Sequence, residues 1–159
     1  MGKKDEKTNV MRLLDEKGIE YRHYSYDGEG LDGNAIAGIL GQNPERVFKT
    51  LITVGRSGGH YVFMVPVCGE LDLKKAAKAA GEKSLEMLPQ KQLLPLTGYV
   101  HGGCSPMGLK KQFPVFLDES AWLQDTIFCS AGKVGRQVEL RPEDLEKMVP
   151  LTPADLCTA

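Results

Sequence analysis

Two runs rich in β-branched and aromatic residues, Val47 to Val54 and His60 to Val67, flank the turn Arg56-Ser57-Gly58-Gly59. A connection this short joins only antiparallel neighbours, so the two runs form a hairpin near the middle of the chain. A parallel strand pair would need a crossover of a dozen or more residues, usually a helix. The central hairpin therefore argues against a doubly wound parallel sheet.

The surrounding segments agree. Thr8 can cap a helix reaching Lys17, with Val10, Leu13 and Leu14 on one face and Gly18 as its stop. Ile19 to Tyr26 reads as a strand. Asn34 is placed to cap a short helix with Ile36, Ile39 and Leu40 on its apolar face and Gly41 as its end. Asp72 caps a helix from Leu73 to Ala80, stopped by Gly81; Leu73, Ala76, Ala77 and Ala80 face inward, and Lys74, Lys75 and Lys78 lie away from them. Short strands are expected around Leu85, Tyr99-Val100, Val115–Leu117, Thr126–Cys129 and Gln137–Leu140, and Pro142 opens a helix through Met148. Regular βαβ alternation is absent, so the expectation is an α/β chain of the α+β kind: a compact mixed β-sheet barrel surrounded by helices. With no repeat or dividing linker, residues 1–159 read as one domain.

Charge excludes one class of function. Twenty Lys and Arg face 21 Asp and Glu, for a net charge of −1. Bulk attraction to nucleic acid is therefore ruled out, and any such contact needs a local patch. No apolar run approaches the roughly 20 residues of a membrane span. The start, Met1-Gly2-Lys3-Lys4-Asp5-Glu6, lacks the apolar stretch of a signal peptide. Cys68, Cys104, Cys129 and Cys157 form no C-x-x-C pair, and His23, His60 and His101 are scattered. These patterns give no zinc or redox motif, no metal site and no cofactor, and they fit reduced thiols in a cytoplasmic protein.

Four stretches carry possible chemistry. Gly28-Glu29-Gly30-Leu31-Asp32-Gly33 spells the dinucleotide pattern G-x-G-x-x-G. Glu29 and Asp32 put negative charge where a pyrophosphate would sit, and the strand before it is too polar to be buried on both faces, so it reads as a loop. Lys49 lies in the strand Val47-Phe48-Lys49-Thr50-Leu51-Ile52; it is either a lysine on a solvent face or a cation placed in a cleft to hold a phosphate or polarise a carbonyl. Gly102-Gly103-Cys104-Ser105-Pro106-Met107-Gly108 is a tight loop able to expose consecutive N–H groups as an anion nest. His101 beside Cys104 raises a thiol nucleophile, although neighbours in an extended segment point to opposite faces. Ser130-Ala131-Gly132-Lys133-Val134-Gly135-Arg136 is a second glycine-rich turn. Lys74, Lys75 and Lys78 are either a solvated helix face or a patch for RNA phosphates.

Taken in order, Phe48-Lys49-Thr50-Leu51, Leu71-Asp72-Leu73-Lys74-Lys75-Ala76-Ala77-Lys78, Gly102 to Gly108 and Ser130-Ala131-Gly132-Lys133 resemble the YbaK/EbsC branch of the trans-editing aminoacyl-tRNA deacylases. The resemblance spans roughly residues 8 to 150. It implies the editing-domain fold associated with prolyl-tRNA synthetase, and release of mischarged cysteine from tRNA for proline, with Cys-tRNA(Cys) as a further substrate. It places Lys49, Gly102 and Gly103 at the reacting ester and Thr50, Ser105, Ser130 and Gly132 around the substrate, with a pocket tyrosine at Tyr26 or Tyr24. It puts tRNA on Lys74, Lys75 and Lys78, raises docking on prolyl-tRNA synthetase, and implies no cofactor or membrane. In this family the substrate's own thiol attacks the ester, which accounts for the lack of a legible catalytic triad. The loop 27–33 departs from the family pattern. Two other classes are a non-catalytic tRNA-binding relative of the same fold and a thiol hydrolase using Cys104 and His101.

Overall fold

A computed structural model describes residues 6–28 and 30–158. Glu29, and with it part of the G-x-G-x-x-G stretch, lies outside the described residues, as do positions 1–5 of the start.

The chain opens with α1 (Asn9–Glu16), capped by the Thr8 side chain, which accepts from the Met11 N–H. Strand β1 (Arg22–Ser25) follows, then α2 (Gly33–Leu40). The cap of α2 is Asp32, whose carboxylate accepts from Ala35 N–H at 2.8 Å, and not Asn34, which falls inside the helix. Both are good capping residues, and the apolar pattern of a helix this short does not separate them. The expected hairpin is β2 (Phe48–Gly55) against β3 (His60–Pro66), in register from Phe48 opposite Pro66 to Val54 opposite His60.

Next comes α3 (Leu73–Ala80), capped by Asp72 and closed by Gly81. Ala76 and Ala77 are buried, whereas Leu73 in the first turn is exposed. Strand β4 (Leu85–Met87) and α4 (Leu93–Thr97) lead to the glycine loop. Tyr99-Val100 is not a strand: Gly98 ends α4 in the left-handed region, and the Thr97 hydroxyl accepts from Tyr99 N–H, so the backbone is committed to a turn. Strands β5 (Val115–Asp118), β6 (Ile127–Ser130) and β7 (Arg136–Leu140), helix α5 (Pro142–Leu145) and strand β8 (Leu151–Ala154) complete the order. Helix α5 stops earlier than the expected Met148.

The strands form two sheets, β4-β2-β3-β5-β8 and β1-β7-β6. Pairing is antiparallel except for β3–β5 and β5–β8, so the mixed sheet is as expected. The barrel is not closed. Among the described residues the two sheets join at one isolated parallel bridge, Val47 to Phe128, and then diverge. Between them lies the larger core. Val10, Met11 and Leu14 of α1 pack with Phe48, Ile52, Met64 and Leu117 of one sheet and Ile127, Val138 and Leu140 of the other. Burying each such side chain is worth about 1.5–3 kcal/mol. On the far face, Phe63 and Phe116 stack at 5.2 Å beneath Ala76 and Ala77 of α3. Among the described residues no helix is long and apolar enough to cross a membrane.

Candidate functional site

The divergence of the sheets beyond Val47–Phe128 opens a cleft of about 680 Å³. Strand side chains repeat every two residues, so the residues two further along each strand face the same way. Those residues are Lys49 on β2 and Ser130 on β6. Ser130 in turn sits opposite Gln137 on β7. All three line the cleft, together with Thr50, His101, Gly102 and Cys104.

Lys49 is half-buried, and among the described residues its ammonium has no ion pair or side-chain hydrogen bond. The cleft around it includes Phe48, Ile52, Leu88 and Leu93. An unneutralised cation on a mostly apolar wall acts on a carbonyl or phosphate more strongly than one in bulk water. Thr50 lines the cleft with a hydroxyl oxygen that is buried and has no partner among the described residues.

The glycine loop is less open than an anion nest requires. Gly103 N–H donates to Val100 O at 3.0 Å, and Met107 N–H donates to Ser105 Oγ at 3.2 Å. Gly102, with φ +86°, lines the cleft; Gly103 is buried against the second glycine turn, where a Cβ would approach Val134 N within 3.0 Å. Ser105 is fully buried and lies outside the lining of the cleft. Gly132 also stands behind the wall, its N–H donating to Ser130 Oγ at 3.1 Å.

The two tyrosines separate. Tyr24 packs on Phe128 and donates to Glu139, in a cluster with Arg46 and Thr126. Tyr26 accepts a hydrogen bond of 3.2 Å from Gln137 Nε2, one residue behind the cleft surface. Burial pushes its phenol above the usual value. Gln137 is 5% exposed and its Oε1 has no partner among the described residues. Gln137 was not singled out in the sequence; the available signal was a glutamine that shares one face of an alternating strand with Glu139 yet adjoins the glycine-rich turn.

Cys104 and His101 both line the cleft without a hydrogen bond between them among the described residues. Burial pushes the Cys104 thiol from 9.0 up to about 12, and likewise that of Cys129. A protonated thiol is a poor nucleophile, so the geometry does not favour the thiol hydrolase. Among the described residues no three His, Cys, Asp or Glu side chains converge as a metal site. Cys104→Ser and added EDTA are each expected to leave activity within about tenfold, or ~1.4 kcal/mol in the barrier; a larger loss would restore the nucleophile or a metal. The same shifts set an alkaline limit. A thiol whose folded pKa lies above its unfolded value lends stability fully present below pH 9.0, lost as pH rises toward about 12. Melting temperature is expected to fall steadily above pH 9.0, and a flat profile would contradict the burial of both thiols.

The lysines of α3 begin four residues beyond Glu70, which lies on the rim of the cleft. Lys74 and Lys78 are exposed. Lys75 is tethered, its Nζ donating to Asp155 at 3.1 Å and to Cys157 O at 2.8 Å. Replacing Lys74 and Lys78 by Gln is therefore expected to flatten the slope of log K against log salt for tRNA by about 1.5, at roughly 0.7–0.9 per phosphate contact. An unchanged slope places the RNA on another face.

The sequence profile of the aminoacyl-tRNA editing domain matches residues 32–148, a span that includes Lys49, Gly102, Ser130 and Gln137. The chain belongs to the aminoacyl-tRNA editing domain family. EbsC of Enterococcus faecalis, described as a candidate Cys-tRNA(Pro)/Cys-tRNA(Cys) deacylase, is 47% identical over 143 residues, covering 89% of this chain and 87% of EbsC. The uncharacterised YwhH of Bacillus subtilis is 31% identical over 113 residues, 70% of each chain. Among solved structures, a candidate trans-editing enzyme for prolyl tRNA synthetase superposes with a TM-score of 0.82 at 23% identity, covering 97% of this chain and all of that one. At that identity the likeness establishes the editing-domain fold and nothing finer.

Proposed function

We propose that this editing-domain protein is a trans-acting deacylase that removes mischarged cysteine from tRNA, Cys-tRNA(Pro) first and Cys-tRNA(Cys) second. The observation that carries the reading is the Lys49 ammonium, unpaired among the described residues, in a cleft with no legible protein nucleophile. The kinship to EbsC, 47% identical, supports the amino acid.

An aminoacyl ester is already activated, so positioning and polarisation of its carbonyl carry most of the catalysis. In this reading Lys49 faces the ester carbonyl, with Gly102 and Gly103 closing the wall beside it. The cysteine sulfur attacks the carbonyl carbon: a C–S bond forms, the C–O bond to the ribose breaks, and the thiol proton passes to the departing ribose oxygen. Water then opens the thiolactone to free cysteine. Cysteine and proline are similar in size, and a pocket discriminates a methylene-sized difference by only about 10- to 200-fold, so separate editing has a purpose. The protein acts as one domain in the cytoplasm, with the aminoacylated 3′ end of tRNA as partner. Docking on prolyl-tRNA synthetase is a further part of this proposal.

The test compares Cys-tRNA(Pro) with S-methylcysteinyl-tRNA(Pro). Release of cysteine from the first and at least about tenfold slower release from the second is expected. Equal release from both would remove the substrate thiol from the mechanism, and release from neither would remove the deacylase reading.

A further inference from the structure

We infer that Gln137 receives the α-ammonium of the esterified amino acid, so that the cleft accepts free aminoacyl esters and turns away N-acylated ones. The inference rests on the reading of the cleft as an aminoacyl-ester site.

It starts from an unfulfilled acceptor. A buried amide oxygen without a hydrogen bond costs free energy, and such atoms in native structures call for an explanation. Gln137 is 5% exposed, and its Oε1 is buried without a partner among the described residues. Its other end is fixed, because Nε2 donates to Tyr26 Oη at 3.2 Å. Tyr26 is itself held, its N–H donating to Gly135 O at 2.9 Å. The side chain is thus pinned with an acceptor left over, on a residue that lines the cleft.

The polar groups of the cleft divide by what they can offer. Lys49 only donates. The Ser130 oxygen already accepts from Gly132 N–H, leaving its proton to give. The lining carboxylates Asp32 and Glu70 stand on the exposed rim, and Asp32 is engaged as the cap of α2. Of the side chains in the buried wall, Gln137 is the one with an oxygen that can only accept. An aminoacyl ester presents the complementary pair: a carbonyl that only accepts and, on the adjacent carbon, an ammonium that only donates. The carbonyl belongs with Lys49. The ammonium is repelled by that cation and belongs with Gln137, which lies across β6 on the next strand, at least about 10 Å from β2, the two strand spacings that hold at the Val47–Phe128 bridge. N-acylation removes two of the three ammonium protons and adds bulk against the β7 wall.

The test uses 3′-cysteinylamido-3′-deoxyadenosine, whose amide stands in for the ester and resists cleavage, and its N-acetyl form. Each is titrated by NMR against wild type, Gln137→Leu and Gln137→Glu. N-acetylation is expected to weaken binding to wild type by about 10- to 100-fold, the worth of a hydrogen bond to a charged group. Gln137→Leu should weaken the free-amine compound by a similar factor and leave the N-acetyl compound unchanged, which a merely structural loss would not do. Gln137→Glu, which keeps an acceptor for the ligand and takes a hydrogen bond from the Tyr26 hydroxyl in place of the one Nε2 gave it, should bind the free amine within a few-fold of wild type. Equal weakening of both compounds by Gln137→Leu, no weakening of either, a glutamate variant as weak as the leucine one, or no binding to wild type would each overturn the assignment. Turnover of Cys-tRNA(Pro) by wild type is followed in parallel. Absent turnover with the binding pattern intact rejects the deacylase and keeps Gln137; turnover with the pattern lost does the reverse.

Discussion

Lys49→Ala is expected to slow release of cysteine from Cys-tRNA(Pro) by about 10²- to 10³-fold while the protein stays folded. Removing one preorganised donor from a site where negative charge develops costs about that much in other enzymes. Lys49 qualifies because its ammonium lines the cleft beside Ser130 with no carboxylate to neutralise it among the described residues. The same isolation predicts that stability survives: truncation breaks no ion pair, and the core contacts of β2 come from Phe48 and Ile52. Lys49→Arg should recover only part of the rate, since a planar fork does not replace a compact point charge. A folded alanine variant, judged by circular dichroism, with near-wild-type rate would leave Lys49 as a surface lysine of β2.

Gly135→Ala is expected to lower the melting temperature by about 5–20 °C, at roughly 2–4 °C per kcal/mol for a chain of this length. Two costs add. Gly135 has φ +83°, where an alanine costs about 1–2 kcal/mol. Its Cβ would also stand 2.5 Å from Tyr26 O, a clash worth about 1–3 kcal/mol that only backbone movement relieves. Gly58→Ala is the control: φ is +90° there, but a Cβ meets nothing within 4 Å. Gly135→Ala should therefore melt several degrees below Gly58→Ala. Equal melting of the two would show that the turn does not press on Tyr26, and with it that Gln137 is not pinned as described.

Local chemistry was legible in the sequence where one element sufficed to write it. The β2–β3 hairpin follows from its own turn, α3 from Asp72 and Gly81, and α1 from Thr8 and Gly18. What depended on distant chain was not. Strand β8 pairs parallel to β5 on the sheet edge, where Pro153 is tolerated, but two prolines in Pro150-Leu151-Thr152-Pro153 disguise it as a loop. Closure of the barrel depended on whether the edge strands β1 and β6 of one sheet paired with β4 and β8 of the other, which no periodicity records. The site divides the same way. Lys49, Gly102 and Ser130 stood out by motif, and the structure brings them to one cleft. Ser105 stood out equally, yet it is buried in its own turn with Met107. Gln137 carries no motif; its place depends on β7 lying between Tyr24 and Ser130.

The most direct measurement is the release of amino acid from a panel of charged tRNAs by the purified protein: cysteinyl, alanyl, seryl and prolyl on tRNA(Pro), and cysteinyl on tRNA(Cys). The account predicts rapid release of cysteine from both tRNAs, strongest on tRNA(Pro), and little or none of the others. Release of proline or serine at the cysteine rate, or no release of cysteine, would contradict it.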